Sequence, residues 1–377
     1  MFSANRLVKL TQDLIKIDSQ NPPGDERRIA VFIKRLLFKS GLNTRLLEFG
    51  KNRFNTITVL KGKKSEISLL ITPHLDTVPF GKNWKYPPLA ARIHKNRIYG
   101  RGATDCKGNL AVGLEVLRNL AEENIKLNYD IIFAATADEE TGSQHGLLPL
   151  LERKIIKPTY ALILDADEFD IILAQKGLMH IKIGILGRKA HGAYPERGIN
   201  AIDIALEVIN KIKKIKFPYR KHRLLKPPTI NVGTIRGGDK VNMVADWCEF
   251  ELDVRFLPGM DKHKIISSIK NKVRSVTKNF KFEITALQAP SQIRTDHILV
   301  YSLKQASTNA IGKYRLKGSQ GATVMTFFDK YNIPCVATGF GSSQCAHATD
   351  EYVAVNNLIL GYNMLRNFLF VFDKYVR

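Results

Sequence analysis

His74, Asp76, Asp105, the Glu139-Glu140 pair, Asp165 and His347 are the residues of this chain whose types and spacing suit chemistry. Imidazole nitrogens and carboxylate oxygens together form an N/O ligand set suited to zinc, cobalt or manganese. Two histidines with several carboxylates provide enough donors for two ions, so the chemistry suggested is two-metal hydrolysis. An acidic pair on a loop is ordinarily a solvated turn. The independently motivated ligands around Glu139 and Glu140 favour a functional role instead.

These groups stand where hydrophobic runs give out. Ser68-Leu-Leu-Ile-Thr-Pro leads into His74, Asp130-Ile-Ile-Phe-Ala-Ala-Thr-Ala into Asp138-Glu139-Glu140, and Tyr160-Ala-Leu-Ile-Leu into Asp165. Short apolar runs of this kind read as buried parallel strands, and the carboxyl ends of such strands are where open α/β sheets bind ligands. Helical periodicity covers Leu7–Ile17, about Asp25–Ser40 and roughly Gly108–Glu123, with strands near Asn55–Lys61 and Ser68–Thr72. The alternation predicts a mostly parallel α/β sheet.

The rhythm changes between about Gly177 and Ala289. Strands at Leu178–Leu186, Thr229–Ile235, Trp247–Phe256 and Phe280–Leu287 are interleaved with helices at Ala201–Ile215 and Lys262–Val276. The order β-α-β-β-α-β is the split βαβ, ferredoxin-like plan. Strict alternation in Glu249-Phe-Glu-Leu-Asp-Val-Arg-Phe256 leaves one sheet face wet, as a parallel-sheet core would not. The α/β pattern resumes with a helix near Ile298–Ile311, a strand at Pro334–Thr338 and a closing helix at Asn356–Asp373. The expected organisation is a catalytic domain formed by residues 1–176 and 292–377, with an α+β domain of residues 177–291 inserted into it.

A chain of 377 residues exceeds one ordinary core, and 44% hydrophobic with 25% charged residues is the balance of a soluble globular protein. No run approaches the uninterrupted apolar length that spans a bilayer, and the N-terminus has no signal-peptide core, so a cytoplasmic location without membrane attachment is expected. Cys106, Cys248, Cys335 and Cys345 lack zinc-finger spacing and read as reduced thiols. The net charge of +23 has its densest run between Lys211 and Arg223. No RNA-binding signature, helix-turn-helix or zinc finger accompanies that run, which reads as a solvated basic face rather than a specific nucleic-acid site.

Five elements in order, Pro73-His-Leu-Asp-Thr-Val-Pro79, Gly100-Arg-Gly-Ala-Thr-Asp-Cys-Lys-Gly108, Asp138-Glu-Glu-Thr-Gly142, Ala190-His-Gly-Ala-Tyr-Pro195 and Ala346-His-Ala-Thr-Asp-Glu351, carry a resemblance. Over nearly its whole length the chain resembles the metallopeptidase and amidohydrolase family that includes acetylornithine deacetylase, succinyl-diaminopimelate desuccinylase, aminoacylase and glutamate carboxypeptidase. The resemblance implies that His74 and Asp165 hold one metal and Glu140 and His347 the other, with Asp105 bridging and its peptide bond to Cys106 cis. It implies two divalent ions, zinc foremost with cobalt or manganese as alternatives. Asp76, two residues beyond His74 on the same side of an extended strand, is placed to accept the second imidazole N–H. Glu139 is the expected general base, moving a proton from the activated water to the leaving amine.

In the inserted domain, His191 resembles the family histidine that reaches a neighbouring subunit's site and stabilises the oxyanion, which implies a homodimer through a lid/dimerisation domain. Asn242 and Arg255 match positions that hold a substrate carboxylate, although Arg255 has an equally good partner in Asp253 on the wet sheet face. Two departures bear on substrate. Val324 stands where many relatives have an acidic residue, and Asp165 stands where deacetylases and desuccinylases commonly have Glu and several di- and tripeptidases have Asp. The expected function is hydrolysis of the amide bond of a small N-acyl amino acid, of the deacetylase or desuccinylase type. A dipeptidase or carboxypeptidase is the alternative, and a non-catalytic basic binding protein comes third.

Overall fold

The computed structural model describes residues 2–64 and 66–376, which divide into two compact units. The larger takes Met1–Leu173, Ile293–Lys317 and Phe327–Arg377; the smaller takes Ala174–Gln292 and Gly318–Thr326.

The centre of the larger unit is four neighbouring parallel strands, in the order Asp130–Ala135, Ser68–Thr72, Tyr160–Leu164 and Cys335–Thr338. Every residue of Ser68–Thr72 and of Cys335–Thr338 is buried, which is why these segments show continuous apolar runs instead of alternation. The sheet is extended antiparallel on one side by Phe54–Leu60 and Thr44–Glu48 and on the other by Asp170–Gln175. The helix Lys107–Glu122 lies on this sheet, with Leu110, Leu114, Leu117 and Leu120 buried. Each such side chain contributes about 1.5–3 kcal/mol of burial. The helix comes so close to the strands that a methyl group added at Gly113 would lie 2.7 Å from the Phe133 ring. The long C-terminal helix Val355–Tyr375 covers Lys107–Glu122 and Ile298–Ile311 from outside.

A small antiparallel sheet, ordered Tyr352–Ala354, Arg97–Tyr99 and Arg92–His94, joins two distant parts of the sequence. Its pairing of Tyr352 with Tyr99 sets the segment ending at Glu351 against the one starting at Gly100. Three-residue strands leave too little periodicity to be read from sequence, and this sheet was not expected.

The smaller unit is a four-stranded antiparallel sheet ordered Thr229–Gly237, Trp247–Phe256, Gly177–Leu186 and Phe280–Gln288, the order of the split βαβ plan. Met179, Ile181, Ile183 and Ile185 alternate with polar or small residues and meet Phe250, Leu252 and Val254 across the strands. Val208 and Ile212 of the helix Ala201–Lys213, with Ile269 and Val273 of Lys262–Arg274, close this core. Both helices start on side-chain caps: Asn200 accepts from the Ile202 N–H at 3.0 Å and Asp261 from the His263 N–H at 2.8 Å. Each ends two residues earlier than its periodicity suggested, the usual latitude at a helix terminus.

The segment Gly318–Thr326, expected with the larger domain, packs with the smaller unit. Gln175 accepts the N–H and hydroxyl of Thr323 at 2.9 and 2.7 Å, and Gln320 accepts the Lys226 N–H at 3.1 Å. No hydrophobic periodicity advertises such polar ties.

Candidate metal centre

The four parallel strands deliver the donor residues from one edge. Their carboxyl ends lead, in sheet order, to Glu139 and Glu140, to His74, to Asp165, and to the loop holding His347. A parallel bridge from His74 to Thr136 and the hydrogen bond from the Asp165 N–H to the Thr338 carbonyl (3.0 Å) carry the sheet one step further at this edge. Asp105 arrives separately, just ahead of the helix Lys107–Glu122, and its peptide bond to Cys106 is cis.

Asp105 stands between two donor groups. Its Oδ1 is 2.8 Å from His74 Nε2, and its Oδ2 is 3.0 Å from His347 Nε2. His347 Nε2 is also 3.2 Å from Glu140 Oε2. Donor atoms of His74, Asp105 and Asp165 lie within 4.8 Å of one another, as do those of Asp105, Glu140 and His347. The residues fit two cations sharing one carboxylate. The second oxygen of Glu140 supports this, because Oε1 is buried with no hydrogen-bond partner, an arrangement that suits an electron-pair acceptor and otherwise costs free energy.

Asp76 is placed differently from the expectation. The nearest acceptor to His74 Nδ1 is the Asp76 backbone carbonyl at 2.9 Å, with carboxylate Oδ1 at 3.6 Å. The carboxylate instead accepts the Glu139 N–H at 3.0 Å, the Glu140 N–H at 3.1 Å and the Asn21 side-chain amide at 2.8 Å. It therefore fixes the loop that carries the acidic pair. Asn21 also donates to the Thr141 hydroxyl at 2.9 Å, and Arg53 joins the buried Asp138 (3.0 Å) to the buried Glu26 (2.8 Å). Asn21 was legible only as part of a Pro-Pro-Gly turn, and nothing in the sequence around Arg53 or Glu26 marks them. Glu139 belongs to neither donor group.

Crowded acids and imidazoles shift one another. Burial, then the neighbouring Asp165, pushes the Glu139 carboxyl well above its usual range. Burial, reinforced by Asp105, raises Asp165 to about 7. Asp105 goes the other way: burial opposes its charge, but the hydrogen bonds from His347 and His74 hold it below the usual carboxylate range. Hydrogen bonds to Asp105 and Glu140 raise His347 to about 10. Burial pushes the Cys106 thiol up to about 12, so it stays neutral, packed below the centre with its sulfur accepting the His74 N–H at 3.2 Å. Cys345 is likewise buried, its thiol donating to the Ser342 carbonyl at 3.0 Å.

Three expected site residues belong to the smaller unit. His191 is exposed, its Nδ1 accepting the Ala193 N–H at 3.0 Å. An antiparallel bridge to Met243 and the Gly192 N–H to Asn242 carbonyl bond (2.8 Å) set His191 beside the exposed Asn242. Arg255 is paired with Asp253 through both arms of its fork, at 2.7 and 3.0 Å. Val324 is buried in this unit. His145, which follows the acidic pair in sequence, is half-buried, with Nδ1 3.0 Å from the Phe49 carbonyl, and is in neither donor group.

Peptidase family M20/M25/M40 matches residues 70–370, a stretch that contains every donor residue named above. The chain belongs to this family. An acetylornithine deacetylase of Photorhabdus laumondii is 30% identical over 301 residues, covering 76% of this chain and 74% of its own. Among solved structures, an M20 family metallo-carboxypeptidase from Sulfolobus solfataricus superposes with a TM-score of 0.82 at 20% identity over 98% of this chain and 99% of its own. The YXEP protein of Bacillus subtilis, a dinuclear metal binding peptidase from the M20 family, does so with a TM-score of 0.74 at 14% identity over 97% of each chain. These two share the fold. Family membership makes the protein a metal-dependent hydrolase of C–N bonds. Among the described residues no helix is long and apolar enough to cross a membrane.

Proposed function

We propose that this M20-family protein hydrolyses the amide bond of a small N-acyl amino acid, in the manner of a deacetylase or desuccinylase. The observation that carries the reading is the pair of donor groups sharing Asp105, with Glu139 beside them and in neither. The similarity to acetylornithine deacetylases supports the acyl-amino-acid class. His74 and Asp165 would hold one divalent ion, Glu140 and His347 the other, and Asp105 both. Zinc is the first choice, with cobalt or manganese as alternatives. When bound, the ions would polarise the amide carbonyl and lower the pKa of the attacking water.

Glu139 takes a proton from that water and delivers it to the nitrogen of the leaving amine as the C–N bond breaks. Its raised pKa suits a group that must both accept and return a proton. His191 would donate a hydrogen bond to the developing oxyanion from the neighbouring subunit of a homodimer formed through the inserted unit. Asn242 and Arg255 would hold the substrate carboxylate, Arg255 exchanging the fork-to-carboxylate pairing it makes with Asp253 for the same pairing to substrate. The buried free thiols of Cys106, Cys248 and Cys345 support a reducing, cytoplasmic setting.

A dipeptidase or carboxypeptidase is the second reading, favoured by Asp165 where the deacylases of this family commonly carry Glu. A screen of acetyl- and succinyl-amino acids beside dipeptides, with protein loaded with zinc, cobalt or manganese in turn, tests both. Turnover of the acyl-amino acids and not of dipeptides is expected; dipeptide turnover alone overturns the first reading.

A further inference from the structure

Glu351 is fully buried and takes no part in either donor group, yet its carboxylate is saturated. Oε2 accepts Arg101 Nη1 at 2.7 Å and the Gly102 N–H at 3.0 Å; Oε1 accepts the Thr104 N–H at 2.8 Å and the Asp105 N–H at 3.0 Å. Its own carbonyl accepts the Gly100 N–H at 2.8 Å. One residue, through its carboxylate and its carbonyl, thus organises the whole turn from Gly100 to Asp105, although the sequence separation between Asp105 and Glu351 is 246.

That distant segment is the one bearing His347. His347 lies outside any helix or strand, is half-exposed, and has a left-handed backbone with φ 61° that a non-glycine residue adopts only when its surroundings impose it. Arg101, held by Glu351, reaches the other way to this segment, donating Nη1 to the Ala348 carbonyl at 3.1 Å. The Glu351–Arg101 pair therefore fixes Asp105 and His347 together.

We propose that Glu351 is a positioning residue that sets the bridging carboxylate and His347 for the second metal ion. The inference rests on the two-metal reading above. It distinguishes the two donor groups. His74 and Asp165 are fixed by the ends of parallel strands, through the His74–Thr136 bridge and the Asp165–Thr338 hydrogen bond. Loss of Glu351 would loosen one member of that group, Asp105. In the other group it would loosen two of three, Asp105 and His347, leaving Glu140.

E351Q tests this with little change of volume. A glutamine keeps one acceptor oxygen for two of the four donors, and turns an N–H₂ donor against the other two. Chelator-stripped full-length wild type and E351Q are titrated calorimetrically with zinc, and with cobalt followed by absorbance. Wild type is expected to take up two equivalents. E351Q should keep the first within about threefold and weaken the second by about 10–100-fold, as losing a partner behind a metal ligand generally does. Added metal should restore kcat with KM nearly unchanged, which a merely destabilised fold would not show. If E351Q does not fold, R101K, which keeps the charge but loses the fork, decides the same point by the same titration. Equal weakening of both equivalents, or of neither, overturns the role given to Glu351. Fewer than two equivalents in wild type would instead sink the two-metal reading, and this inference with it.

Discussion

Replacing Asp76 by asparagine separates two ways in which this carboxylate can matter. It faces three donors: the Glu139 N–H on Oδ1, and the Glu140 N–H with the Asn21 amide on Oδ2. An asparagine can keep its oxygen at the Oδ2 position and retain two of them, but its N–H₂ then confronts the Glu139 N–H. A hydrogen bond to a charged group is worth about 1.5–3 kcal/mol, and each of the two survivors weakens towards the neutral value of about 1 kcal/mol. The sum is about 2.5–7 kcal/mol, shared between unfolding and misplacement of the acidic pair. His74 should be little disturbed, because its Nδ1 is held by the Asp76 backbone carbonyl at 2.9 Å, which the substitution leaves in place. The expected outcome is a large fall in kcat and in the denaturation midpoint, with the first equivalent of metal bound as in wild type. Kinetics, urea unfolding and metal titration on the same preparation read all three. Loss of the first equivalent together with activity would refute this reasoning, since it would mean that the carboxylate acts through the imidazole.

Other outcomes follow from the same geometry. E139Q should lower kcat by about 10²–10⁴-fold while both metal equivalents remain, because Glu139 lies outside both donor groups; unchanged turnover would exclude it as the base. Metal-free protein should lose stability as pH rises. His347, raised from 6.5 to about 10, stabilises fully below 6.5 and loses that contribution as pH climbs through 10. Asp165, raised from 3.8 to about 7, works in the same sense between those values, so metal binding at neutral pH should release protons, measurable by calorimetry in buffers of differing ionisation enthalpy. R53M leaves Glu26 and Asp138 buried without their shared counter-ion and should cost about 3–5 kcal/mol in unfolding; a loss below about 1 kcal/mol would argue that the pair is not a structural charge cluster. Mixed E139Q and H191A subunits should regain part of the activity that each variant alone lacks, and verified heterodimers without recovery would remove His191 from a role in trans.

The donor residues were legible because chemistry and burial leave different marks on a sequence. A buried parallel strand must be apolar along its whole length, so the first polar residue after Leu-Leu-Ile-Thr-Pro or Tyr-Ala-Leu-Ile-Leu is conspicuous, and it is there that His74 and Asp165 stand. The inserted sheet was readable for the opposite reason, since one wet face forces alternation along Gly177–Leu186 and Trp247–Phe256. What supports the donors left no such mark. Asn21, Glu26 and Arg53 are polar residues in a turn, at a helix start and at a strand start, indistinguishable in sequence from solvated ones, and the motifs that contain Arg101 and Glu351 carry no sign of the bond between them.

The sequence by itself therefore determined the fold class and the donor types, because each follows from local pattern or residue chemistry. Tertiary structure alone decided which hydrogen bond each carboxylate makes. Asp76 turns its carboxylate to the Glu139-Glu140 loop and brings its carbonyl nearest to His74 Nδ1, and Glu351 binds a turn 246 positions away. Those choices depend on distances of a few tenths of an ångström between segments brought together by the strand order and by a three-stranded sheet of minimal length. Hydrogen bonds are short-ranged and directional, so no periodicity along the chain records which donors they will meet.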